Sequence, residues 1–299
     1  MTNSPIQKPN RWVGVPLVLT AGVFWSTSGL VYRLIEAATP WQVLFYRSAA
    51  LSLALFLLLS IRYRSRMIRA LMSCGQSAVI GGLCLATAFT GYLLALEHTS
   101  VANAMFILAV APFSTALLGW LILKERVANY TWGCLIIAAI GLAIMSGKEL
   151  SLGRGLGELF ALLPALGFSG LTISLRIRQG TDLLLTIFIA SSFATLFAVT
   201  GITMTGSGII LEARDLILSS GMGLFQLGLG FLLYTAGSSH LPAVELTLLS
   251  LTEIIVGPIL VWIWVGEAPT RSSLMGGGLI LGSIVMMALL GSVRTKDRN

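Results

Sequence analysis

Two ionisable side chains stand inside long apolar stretches, where their chemistry is out of place. Arg47 falls about seven residues into the run that follows TPWQ, and Glu253 lies ten residues after Ala243 in AVELTLLSLTEIIVGPILVWIWV. A lone arginine at mid-depth in a membrane costs about 2.5–3.5 kcal/mol on insertion scales, so Arg47 needs water, an anionic partner or a ligand carboxylate. It either snorkels and supports a loop, or it attracts and gates a solute. Glu253 has three readings: holding an amino group, carrying a proton in a coupled cycle, or pairing structurally with Arg47 or a helix terminus. Around them Trp25, Tyr46, Tyr92, Asn103, Phe168, Gln226 and Tyr234 also occur within apolar runs. Buried amides and phenols require hydrogen-bond partners, so several should face inward, although each alone reads more often as helix packing. Together they suit an uncharged or zwitterionic organic solute.

Other chemistry has little to stand on. His98 and His240 lie near turns without metal-ligand spacing, and Cys74, Cys84 and Cys134 have neither metal-ligand nor disulfide spacing. There is no HExxH pair, nucleophile elbow or Walker A pattern in the chain. No enzyme activity, cofactor or metal is therefore expected, and ATP-driven transport is disfavoured.

The elements that must position these residues follow from composition. Of 299 residues, 56% are hydrophobic and only 10% charged, with a mean hydropathy of +0.90. Soluble domains carry about 25% charged residues, so the missing solvated surface implies a lipid bilayer as partner. Ten spans are predicted at 13–34, 41–61, 74–96, 101–123, 130–146, 157–176, 182–203, 216–236, 243–265 and 274–293. Pro40 and Pro242 open spans, while Gly147 and Gly180 close or separate them. The tryptophans at 12, 41, 120, 132, 262 and 264 fit interfacial belts. The formal charge of +7 comes from nineteen dispersed Lys and Arg residues, so nucleic acid is not an expected partner. With the N-terminus inside, thirteen cations fall on the cytoplasmic side and five opposite, which places both termini in the cytoplasm.

Two halves, 1–149 and 150–299, each take five of these spans. Five is odd, so the second half must run in the opposite sense, the arrangement from which many secondary transporters build a midplane site. Ala95 and Ala102 flank one turn at the same separation as Ala236 and Ala243 flank another. Glu125 and Glu267 close corresponding spans, where a framework or gate role fits better than solute binding, and AGVFWSTSG sets Trp25 near Phe168 of ALGFSG. Pro112 aligns near Glu253 rather than Pro258, leaving open whether the fourth and ninth spans bend alike.

FWSTSG, TPWQVLFYRSAA, ANAMFILAVAPFSTALLGWLILKE and AVELTLLSLTEIIVGPILVWIWVGE together resemble the EamA-like type of the drug/metabolite transporter superfamily, including its aromatic amino acid exporters. The resemblance implies an all-α integral membrane protein of ten transmembrane helices as two inverted five-helix repeats. It further implies a central cavity formed by the first to fourth and sixth to ninth helices, with the fifth and tenth peripheral. The expected function is secondary export of amino acids or related metabolites across the bacterial inner membrane. Import, exchange or multidrug transport on the same fold is the alternative, and proton coupling and facilitated movement both stay open. So do monomer and homodimer, since Gly278 and Gly282 have GxxxG spacing.

Overall fold

A computed structural model describes residues 11–124, 129–151, 155–177, 182–238, 240–241 and 243–296. Among them are thirteen α-helices and no strand. The first half contains α1 (Arg11–Arg33), α2 (Pro40–Tyr63), α3 (Met67–Ser73), α4 (Gly75–His98), α5 (Val101–Leu108), α6 (Ala111–Ile122) and α7 (Asn129–Ser151). The second contains α8 (Leu156–Ile177), α9 (Leu183–Thr205), α10 (Ala213–Gly221), α11 (Gly230–Ser238), α12 (Ala243–Val265) and α13 (Arg271–Lys296). A π-helical segment, Met222–Leu229, joins α10 to α11. By length and composition, seven described stretches can cross a membrane, and the described apolar parts of α7, α12 and α13 are shorter.

Local chemistry sets the helix ends. Thr39 and Gln42 form a reciprocal capping box with Pro40 in the first turn of α2, which satisfies otherwise orphaned amides. Ser100 caps α5 and the Asp182 carboxylate caps α9. The seventh span reads as fading gradually, but Gly206 ends α9 abruptly at φ 67°, a conformation that costs glycine little.

Helix pairing carries the inverted repeat. α4 packs on α8, as α1 packs on α11 and the π segment; α1 packs on α12, as α8 packs on α5 and α6. α4 meets α9, as α2 meets α10 and the π segment, while α2–α9 and α7–α13 are self-related pairs. Each relation maps onto another by advancing five spans. α7 and α13 pack chiefly on each other, leaving the remaining helices to enclose the centre.

Two departures from this symmetry matter. The fourth span breaks at Ala109–Val110, with Pro112 in the first turn of α6, whereas α12 runs unbroken through Pro258. The two spans therefore do not bend at equivalent places. The eighth span contains the π segment, whereas its counterpart α4 is a regular helix. Trp41, in the first turn of α2, packs its ring against Gly201 near the end of α9.

Glycine allows the π segment to sit directly on α2: a Cβ at Gly223 would lie 2.1 Å from the carbonyl oxygen of Arg47. Backbone cannot yield as a side-chain tip can. Gly223→Ala is expected to cost about 1–3 kcal/mol through overpacking, read as a lower Tm in detergent. An unchanged Tm would show that α2 and the π segment are not held in this contact.

Candidate functional site

The centre is built by α1, α2, α4, the π segment, α11 and α12. The Trp25 ring lies 5.2 Å from Phe231 in an edge-on arrangement and 5.3 Å from Tyr234. Phe231 continues to Phe89 at 6.3 Å, and the Arg47 guanidinium sits over the Phe89 ring at 5.3 Å. Tyr92, one turn beyond Phe89, exchanges a 2.7 Å hydrogen bond with Ser28 of α1. Glu253 is half-buried on α12, behind the contact of Gly22 with that helix.

Polarity at this site is unevenly satisfied. Arg47 is only 2% exposed, yet its Nε and Nη1 have no hydrogen-bond partner among the described residues. Trp25 Nε1, Ser48 Oγ and Gln226 Oε1 share that condition. Buried polar atoms are otherwise almost always paired, so such a group of orphans needs a reason. Glu253 lies within electrostatic reach of both Arg47 and Tyr92, but no ion pair at contact distance joins it to Arg47 among the described residues. The site thus holds a donor-rich cation within electrostatic reach of an acidic side chain, with aromatic rings between α1, α4 and α11.

The π segment explains how Gln226 arrives there. A π turn carries an extra residue and shifts the side chains that follow, a distortion frequent at functional sites. Glycine lines both ends of it, with Gly223 against the Arg47 carbonyl and Gly230 against Trp25 Nε1.

Trp25, Arg47, Tyr92, Gln226, Tyr234 and Glu253 therefore gather around one centre. Asn103 does not: its amide donates to Thr99 Oγ1 and Glu158 Oε1, each at 3.3 Å, while its oxygen accepts from Ser273. These bonds occupy it as a brace between α5, α8 and α13. Phe168 is half-buried on α8 and takes no part in the central ring contacts. Tyr46 donates to the Ile209 carbonyl in a connecting loop.

One face of the bundle is cross-tied. Arg33, at the end of α1, donates from Nε to Glu267 at 2.7 Å and from its two terminal nitrogens to the carbonyls of Leu96 and Thr99. Glu267 also accepts the Val101 amide, which opens α5, at 2.7 Å. This latch fastens the α1–α12 pair to the α4–α5 corner. On the same face, Asp215 accepts the amides of Glu36, Ala37 and Ala38, so the α1–α2 loop is held by the start of α10. Glu125, expected to mirror Glu267, lies outside the described residues.

Sequence reasoning passed over Glu158 and Asp215. Glu158 is 4% exposed and holds Thr99 and Asn103 through one oxygen. Its signal was available, since GELFALL places an acid in the first turn of an apolar run. Asp215 had no comparable mark, because its partners are backbone amides far away in the chain.

Helices paired across an inverted repeat around a polar, aromatic centre define a multi-pass membrane transporter. The EamA-like transporter family model matches twice, over residues 12–147 and 155–289, and the chain belongs to that family. A curated relative, the uncharacterized transporter YwfM of Bacillus subtilis (strain 168), is 26% identical over 290 residues, covering 94% of this chain and 95% of the relative. A solved crystal structure shares the fold with a TM-score of 0.62 at 17% identity, over 94% of this chain and 98% of that one. The protein is a membrane transporter of the drug/metabolite type.

Proposed function

We propose that this protein exports amino acids, aromatic ones among them, or related zwitterionic metabolites across the bacterial inner membrane by alternating access, with both termini cytoplasmic. The observation that carries this reading is the pair of unpartnered Arg47 donors, buried over Phe89 and within electrostatic reach of Glu253. Arg47 receives the solute carboxylate in charge-assisted hydrogen bonds, and Glu253 receives its ammonium group. Trp25, Tyr92, Phe231 and Tyr234 enclose the apolar side chain, and Gln226 Oε1 accepts a hydrogen bond from a remaining ammonium N–H. The bias of cations towards one side supports the orientation.

Counterflow of radiolabelled amino acids in proteoliposomes tests it. An aromatic amino acid should exchange, whereas its decarboxylated amine and its deaminated acid, each lacking one charged end, should compete at least tenfold more weakly. Preferred movement of the amine would replace this reading with cationic drug transport. Failure of every amino acid to move along an imposed gradient would remove it. E253Q separates the roles of the acid: retained affinity together with an unchanged pH dependence of flux would assign Glu253 to structure alone.

A further inference from the structure

A short basic element lies opposite the latched face, outside the transport site. After α2 the chain turns through Arg64 at φ 49°, passes a single 3-10 turn at Arg64–Arg66, and runs into α3. Left-handed backbone suits glycine and costs an arginine, yet an arginine occupies this turn. The chain then folds back on the bundle through the buried side chains of Met67 and Cys74, with Ser60 Oγ donating to Met67 Sδ.

What α3 leaves outward has two characters. Ile68 is 74% exposed and Met72, one turn on, is 81% exposed, continuing the exposed apolar surface of Ile61 on α2. Beside them Arg62, Arg64, Arg66 and Arg69 are all exposed, with no acidic residue between positions 61 and 73. Arg62 is engaged by Asp182 at 3.2 Å and by the Tyr63 ring. Arg64, Arg66 and Arg69 have no ion pair among the described residues. Apolar side chains beside free guanidinium groups at the end of a membrane helix match the layer where acyl chains meet phosphates.

We propose that α3 and the turn before it form a docking surface for anionic phospholipid headgroups. Arg64, Arg66 and Arg69 bind the phosphate groups, and Ile68 and Met72 lie against the upper acyl chains. The commitment to lipid rather than a soluble anion rests on those two exposed apolar residues, which a free phosphate would leave unused.

The test places the intact protein in nanodiscs of phosphatidylcholine with a minor fraction of spin-labelled phosphatidylglycerol and measures the motionally restricted label. Phosphatidylglycerol should be retained over spin-labelled phosphatidylcholine. Each surface arginine adds about fivefold, so R64Q/R66Q/R69Q should lower the preference on the order of 100-fold, and R64K/R66K/R69K should keep most of it. Wild-type preference should also fall as salt rises, a readout that survives if the glutamine variant does not reconstitute. Equal retention of both lipids, preference that ignores salt, or a glutamine variant matching wild type would overturn the proposal. Displacement of the lipid by inorganic phosphate beyond that caused by sodium chloride at equal ionic strength would overturn the lipid assignment.

Discussion

Arg47→Met is expected to weaken binding of a carboxylate-bearing solute by about 10–100-fold while leaving Tm unchanged or raised. Hydrogen bonds to a charged group contribute about 1.5–3 kcal/mol each, which sets the size of the loss. The sign of the stability effect follows from burial. Arg47 is 2% exposed, with two nitrogens unpartnered and no contact ion pair among the described residues, so it bears desolvation without full return. An apolar replacement of similar length removes that cost. A structural arginine would behave in the opposite way, losing Tm while each folded molecule kept its transport. Tm and counterflow on the same preparation separate the two, and a destabilised but fully active variant would sink the assignment. Arg47→Lys keeps charge but loses the planar fork, and so should fall between.

The latch supplies the second large effect. Glu267→Ala removes the acceptor for Arg33 Nε and for the Val101 amide together, loosening the α1–α12 pair from the α4–α5 corner. Both partners are 24% exposed in their side chains, so solvent screening holds the pair near the upper end of the surface range, about 1 kcal/mol. The lost acceptor for the Val101 amide adds about 1 kcal/mol. The combined loss, about 2 kcal/mol, shifts the population open at this face by about 30-fold. Labelling of a cysteine at Ser28, in a background without the three native cysteines, should accelerate accordingly when reagent is applied from this face. Glu267→Gln keeps an acceptor for Val101 and should give a smaller change. Equal labelling rates in wild type and E267A would show that the contact decorates a face closed by other means.

Much of this arrangement was legible because membranes make polar chemistry conspicuous. Arg47 and Glu253 stood out in apolar runs, and the structure gathers both at one centre with Trp25, Tyr92, Gln226 and Tyr234. Asn103 looked equivalent to them in sequence, yet its bonds go to Glu158, Thr99 and Ser273, and only tertiary contact separates a brace from a binding group. Phe168 fell opposite Trp25 in the repeat but not in the ring cluster, because the two halves diverge in the side chains they turn inward. The π segment has no local signature: Gln226 lies among glycines and leucines that serve a regular membrane helix equally well. The reversal at Arg64 was hidden because a span prediction stops where the apolar run stops, whereas the chain goes on to form α3.

The widened turn in the eighth span, with only a regular helix opposite it in the third, carries a kinetic consequence. Two identical halves would interconvert between end states related by a two-fold rotation and equal in energy, and the empty carrier would rest half in each. Here the twin strokes deform unlike backbones, so their activation barriers and resting energies differ. An idle molecule therefore populates the two end states unequally.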